Sequence, residues 1–168
     1  LKTLQNTNKR DFKLGEYGNA LAIDNLNGDQ FMDVVTVCSL DDKATAIDGE
    51  DGTELWNWVG TENLYAVTTG DFNNDGQVDV AVGGNDDRVT ALYGNNGNVM
   101  WQFTNTGNQI YRKCLQTADL NNDGNIDVIA GCDDSSVYAI NGLNGNQLWS
   151  CYVGAAVNEV ELAQMDAS

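Results

Sequence analysis

Along most of its length the chain alternates short apolar runs with clusters of Asn, Asp and Gly. The stretches "YAVTTG" (65–70), "VDVAVGG" (78–84), "RVTALYG" (88–94) and "VMWQFT" (99–104) are six or seven residues long and rich in Val, Thr and aromatics, the composition of a strand. Between them lie an acidic loop from Asp71, a turn at Asn85–Asp87 and a Gly-rich turn at Asn95–Gly97, residues that favour turn conformations. No stretch sustains a helical period beyond a turn or two. The pattern predicts four strands joined by tight connections and no substantial helix.

The same pattern recurs. "DFNNDGQVDVAVGG" (71–84) returns as "DLNNDGNIDVIAGC" (119–132) and more loosely as "NLNGDQFMDVVTVC" (25–38), placing the closing aspartates Asp33, Asp79 and Asp127 46 and 48 residues apart. A second element follows each copy: "AIDGEDGTELW" (46–56), "ALYGNNGNVMW" (91–101) and "AINGLNGNQLW" (139–149), with Trp 22 or 23 residues beyond the closing aspartate. The two elements therefore form one composite repeat. A unit of about 45 residues with four antiparallel strands predicts a β-propeller blade. The expected fold is all-β: a single propeller segment over 1–168, with complete blades at about 20–60, 65–107 and 114–154 and a fourth unit opening at 155–168.

Charge directs attention to the loops. The chain has 168 residues, 25 acidic against eight basic, no His and a net charge of −17. Such a balance repels nucleic acid and anionic membranes and suits cations, and no apolar run approaches the ~18 residues of a membrane span. Hard Ca²⁺ takes six to eight oxygens, which alternate positions of a tight loop can supply. In the second loop these are Asp71, Asn73, Asp75, the Gln77 carbonyl and Asp79, with Gly76 at the sharp turn; in the third they are Asp119, Asn121, Asp123, the Asn125 carbonyl and Asp127, with Gly124. Without an ion, three carboxylates would repel one another within each loop. The first loop offers Asn25, Asn27, Asp29, the Phe31 carbonyl and Asp33. It has one carboxylate fewer and places Gln30 where glycine is expected, so it should bind most weakly, with Asp24 as a compensating neighbour. About three Ca²⁺ ions are expected, one per loop; they would reduce the net charge from −17 to −11.

The loops resemble FG-GAP (integrin-α-like, or VCBS) repeats, with their Asp-x-Asn-x-Asp-Gly-x-x-Asp consensus. The Ala-x-x-Gly-x-x-Gly-x-x-Leu-Trp element is similar to the repeats of pyrroloquinoline-quinone-type propellers. The resemblance covers nearly all the chain beyond residue 20. It implies that the Trp of each repeat docks neighbouring blades, and that the protein is exported or surface-bound.

Other chemistry finds little support in the sequence. Absence of His removes the commonest general base and His-ligated zinc, there is no Cys-x-x-Cys, and no two cysteines are adjacent as in the quinone-dependent dehydrogenases that the Trp element resembles. Trp56, Trp101 and Trp149 could stack on sugars, but their regular placement favours blade packing. If positions 1 and 9 of a loop face each other, Cys114 falls opposite Cys132, which suggests a disulfide; four buried thiols are the alternative. Cys38 takes the same place in unit one, opposite Ala20.

The expected function is a calcium-binding, non-catalytic propeller scaffold for adhesion or assembly, extracellular or at the cell surface, with a protein or glycan as ligand. The alternative is the propeller portion of a secreted polysaccharide-degrading enzyme or a quinoprotein dehydrogenase. "VELAQMDAS" (160–168) reads as the first strand and loop of the fourth unit, with Asp166 and Ser168 at loop positions 1 and 3, and residues 1–14 as part of a preceding blade. Three blades do not close a ring, so the expected partners are the rest of a longer propeller or other copies of the chain.

Overall fold

The computed structural model describes residues 18–104, 109–111 and 113–162. They form twelve strands in three antiparallel sheets of four. The first sheet contains β1 (Gly18–Asp24), β2 (Asp33–Cys38), β3 (Lys43–Ile47) and β4 (Glu54–Val59). The second contains β5 (Leu64–Gly70), β6 (Asp79–Gly84), β7 (Arg88–Leu92) and β8 (Val99–Thr104). The third contains β9 (Leu115–Ala118), β10 (Asp127–Gly131), β11 (Ser136–Ile140) and β12 (Gln147–Tyr152). In each sheet the strands lie side by side in chain order, the arrangement of a propeller blade. The first strands of the blades border an axial groove of about 470 Å³, whose lining includes Ile23, Val67, Thr69, Lys113 and Gln116.

Apolar side chains meet between blades. Leu26, Val35, Val37 and Trp56 of blade one pack with Leu64, Val80, Val82 and Leu92 of blade two. Phe72, Ala81, Val89 and Trp101 of blade two pack in turn with Leu115, Val128, Ala130 and Ile140 of blade three. Single blades could not bury these faces, so the stack supplies the core.

The tryptophans are the most specific part of this contact. Trp56 donates from Nε1 to the Gly94 carbonyl (2.6 Å), and Trp101 to that of Gly142 (2.5 Å). Each indole lies on the second glycine of the next blade's turn, Gly97 or Gly145, where an added Cβ would fall 2.7 or 2.9 Å from ring carbons. Both of these glycines have positive φ, 70° and 73°, so they meet a conformational and a steric demand together. Trp149, in the third blade, is 45% exposed. The corresponding turn of blade one is open, since a Cβ on Gly52 would meet nothing within 4 Å.

The hairpin register differs from expectation by one residue. Asp24 pairs with Asp33, Gly70 with Asp79 and Ala118 with Asp127, so position 9 of each loop faces the residue before position 1. The strand ends one residue earlier because the position-1 side chain turns into the loop. Continuing that register sets Cys114 across from Gly131, whose N–H donates to the Cys114 carbonyl (2.8 Å), and not across from Cys132. All four cysteines are thiols, correcting the suggested Cys114–Cys132 disulfide. The buried Cys114 Sγ donates to the Val157 carbonyl (3.2 Å), and its pKa is pushed up to about 11, chiefly by burial.

Residues 153–162 carry no strand. Val157 packs on Gly131 and its N–H donates to the Cys132 carbonyl (3.1 Å), much as Ile110 packs on Gly83 and donates to the Gly84 carbonyl (2.8 Å). The rest of the expected fourth unit, with Asp166 and Ser168, lies outside the described residues, as do residues 1–14.

Trp101→Ala should cost about 3–5 kcal/mol in urea unfolding, because a filled inter-blade seat is emptied. Trp149→Ala should cost under about 1 kcal/mol. Equal losses would contradict the docking geometry.

Candidate metal centre

Each acidic loop has an inner and an outer layer. The inner layer is the closing aspartate, Asp33, Asp79 or Asp127, with at most 1% of its surface exposed. One carboxylate oxygen accepts from the backbone N–H at loop position 2: Leu26 (2.9 Å), Phe72 (3.3 Å) or Leu120 (3.0 Å). The other accepts from the first glycine of the second element: Gly49 (2.9 Å), Gly94 (3.3 Å) or Gly142 (3.0 Å). A buried carboxylate is tolerated because N–H groups satisfy it. These glycines also abut the carbonyl at loop position 8: an added Cβ would stand 1.8–1.9 Å from the oxygen of Met32, Val78 or Ile126. The loop and the second element are thus one interlocked unit.

The outer layer holds positions 1, 3 and 5. In blade two, Asp71 accepts from the N–H groups of Asp75 (3.1 Å) and Gly76 (2.9 Å), Asn73 Oδ1 from Asp75 N–H (2.9 Å), and Asp75 from Gln77 N–H (2.8 Å). Blade three repeats the set with Asp119, Asn121, Asp123 and Asn125 at 3.2, 3.0, 2.9 and 2.8 Å. Positions 4 and 6 take positive φ in both loops: Asn74 and Gly76 at 57° and 83°, Asn122 and Gly124 at 59° and 88°. The side-chain oxygens therefore crowd round a single turn, and hydrogen bonds from backbone and amide groups hold the Asp123 carboxyl below its ordinary range.

Loop one is built differently. Only Gly28, at position 4, has positive φ (78°), and Gln30 does not, which removes the expected strain at Gln30. Gly28 N–H donates to Asn25 Oδ1 (2.8 Å), Phe31 N–H to Asp29 Oδ1 (2.6 Å), and the Asn25 amide to the Asp29 carbonyl. Asp24, the expected compensating neighbour, accepts from Asn25 N–H (2.9 Å) and from the Thr69 hydroxyl of the next blade (3.0 Å). Two other carboxylates approach the loop. Asp29, Asp48 and Glu50 bring ligand atoms within 4.8 Å of one another, the one such trio of Asp, Glu, His or Cys among the described residues. Asp48 and Glu50 belong to the β3–β4 turn. They stand outside the acidic-loop motif, on the second element, yet each flanks the glycine clasped by Asp33.

The donor set fits a hard cation in part. Asp71, Asn73 and Asp75, and equally Asp119, Asn121 and Asp123, put oxygens on one exposed turn, while Asp79 and Asp127 already serve backbone N–H groups and retain only their remaining lone pairs. Burial is the largest influence on Asp79 and, with Asp75 and Asp71 nearby, raises its pKa to about 6 from 3.8. A cation beside it would offset that repulsion.

The sequence matches the family model PQQ_2, described as "Outer membrane protein assembly factor BamB", over residues 31–168. The chain belongs to this BamB-type, PQQ-like propeller family. No curated protein matches it. Among solved structures it is similar to BamB from Moraxella catarrhalis, at 19% identity and TM-score 0.55, covering 89% of this chain and 40% of that one. It is also similar to BBS1N, solved in complex with ARL6DN, at 15% identity and TM-score 0.66, covering 85% and 46%. The chain thus spans less than half the length of either protein. At these identities the likeness concerns the propeller fold.

Two outcomes separate the layers. In chelator, Asp127→Ala should cost about 3 kcal/mol or more, because it orphans buried N–H groups, whereas Asp123→Ala should stay within about 1 kcal/mol. The second concerns pH. Folding raises the Asp79 pKa from 3.8 to about 6, so its contribution is greatest below pH 4 and is lost as pH rises through 6. Chelator-treated wild type should lose stability over that window relative to Asp79→Asn; parallel pH curves would contradict the assignment.

Proposed function

We propose that the chain is part of a calcium-stabilised, non-catalytic propeller scaffold that works outside the cytoplasm, at a surface or in secreted form, and presents its blades to a protein partner. The observation that carries the calcium reading is the repeated Asp-x-Asn-x-Asp-Gly turn in blades two and three. Both copies adopt the same backbone and gather oxygens of positions 1, 3 and 5 on an exposed rim. This supports the FG-GAP-like part of the resemblance. The −17 charge favours cations, and eight of the 25 acidic residues lie in the three loops. Two features support a protein partner: the family description names an assembly factor, and one similar propeller was solved in a protein complex. Extracellular calcium modules bind at about 0.1–1 mM, a range filled outside the cell and empty in the cytosol; this is the reason for the proposed location.

A ligand that binds only the folded state stabilises it by about 2.7 kcal/mol per site at a hundredfold excess over Kd. Thermal melting in millimolar Ca²⁺ should therefore lie well above melting in chelator. Coincident melts would overturn the proposal.

A further inference from the structure

One buried side-chain polar atom among the described residues has no hydrogen-bond partner: Asn141 Oδ1. Asn141 is only 8% exposed, and leaving such an oxygen unmet is costly. Its place in the fold is specific. It directly precedes Gly142, the glycine clasped by Asp127 (3.0 Å), and its Nδ2 points into the acidic loop, 3.4 Å from Asp123 Oδ2. The Asn141 backbone is already used, with its N–H donating to the Asn146 carbonyl (2.8 Å) and its carbonyl accepting from Gly145 N–H (2.8 Å), so only the side chain is available to the loop.

We propose that Asn141 is a side-chain ligand of the blade-three cation, supplied from the β11–β12 turn and not from the Asp-x-Asn-x-Asp loop. The inference rests on the calcium reading above. A half-turn of the carboxamide exchanges Nδ2 for Oδ1 and sets that oxygen about 3.4 Å from Asp123 Oδ2. Two ligands each ~2.4 Å from one Ca²⁺ and a right angle apart are separated by about the same distance. In the ion-free arrangement the Asn121 and Asn141 amides both donate to Asp123 Oδ2, at 2.8 and 3.4 Å. These N–H groups occupy the place of a positive charge, and turning the amide gives Oδ1 the cation as its partner while Nδ2 takes the place where Oδ1 stood.

The equivalent position in the other blades extends the idea. In blade one it is Asp48, which with Glu50 closes on Asp29; Asn27 Nδ2 bridges Asp29 (3.0 Å) and Asp48 (3.3 Å) there. In blade two it is Tyr93, which is 37% exposed and brings no comparable oxygen donor. The residue before the clasped glycine therefore strengthens blades one and three relative to blade two. Loop one, poorest in carboxylates within its motif, regains two from the neighbouring turn.

The test is a Ca²⁺ titration of the full chain followed by amide NMR, with Gly76 and Gly124 reporting on loops two and three separately. Asn141→Ala should raise the Gly124 midpoint about tenfold and leave the Gly76 midpoint unchanged, Asn141→Asp should lower the Gly124 midpoint, and Tyr93→Asn should lower that of Gly76. If Asn141→Ala fails to fold, the other two variants carry the test. A Gly124 midpoint unaltered in a folded Asn141→Ala, or a Gly76 midpoint unaltered in the charge-neutral Tyr93→Asn, would overturn the inference while the wild type still saturates. No saturable shift at either glycine in the wild type would instead remove the calcium reading, and this inference with it.

Discussion

Each blade is organised around a carboxylate that water does not reach. Asp33, Asp79 and Asp127 use their two oxygens to join the loop's second backbone N–H to a glycine 15 or 16 residues further on. Because that glycine also presses against the carbonyl at loop position 8, no other residue fits there without moving the backbone. The clasp fixes where the β3–β4, β7–β8 and β11–β12 turns sit, and hence where the next features can form.

The β7–β8 and β11–β12 turns are the seats on which the preceding blade's tryptophan docks. The carbonyl that accepts from Trp56 or Trp101 belongs to the same glycine whose N–H the aspartate holds. One residue, Gly94 or Gly142, thus links the carboxylate of its own blade to the indole of its neighbour. Loop position 2 continues the contact: Leu26 and Phe72 are fully buried and lie close to Gly94 and Gly142, and Leu120 in the third blade is only partly covered. Within-blade order and between-blade packing therefore depend on the same few atoms, which explains why the two motifs recur at a nearly constant separation in the chain.

Much of this is legible in the sequence because it is periodic. The all-β blades, their four strands and the packing of Trp56 and Trp101 follow from alternation, turn residues and the 46- and 48-residue spacing, whereas Trp149, expected to pack likewise, is largely uncovered. What the sequence left open was local geometry. The hairpin register moved by one residue because position 1 turns into the loop, and that displacement separated Cys114 from its expected place across from Cys132. In loop one the glycine at position 4 took over the bend assigned to Gln30. Asp48, Glu50 and Asn141 went unnoticed as loop neighbours because proximity to the acidic loops comes from the clasp, a contact between residues 15 or more apart, which no motif within one loop can express.

On the proposed calcium reading the clasp needs no ion, whereas the outer ring of oxygens is completed by one. Native-state hydrogen exchange, with and without Ca²⁺, addresses both in one measurement. The amides of Leu26, Phe72, Gly94 and Gly142 should exchange only through global unfolding in chelator, while those of Asp75, Gly76, Asp123 and Gly124 should exchange quickly in chelator and become protected in millimolar Ca²⁺. Clasp amides as labile as the loop amides in chelator, or loop amides indifferent to Ca²⁺, would contradict it.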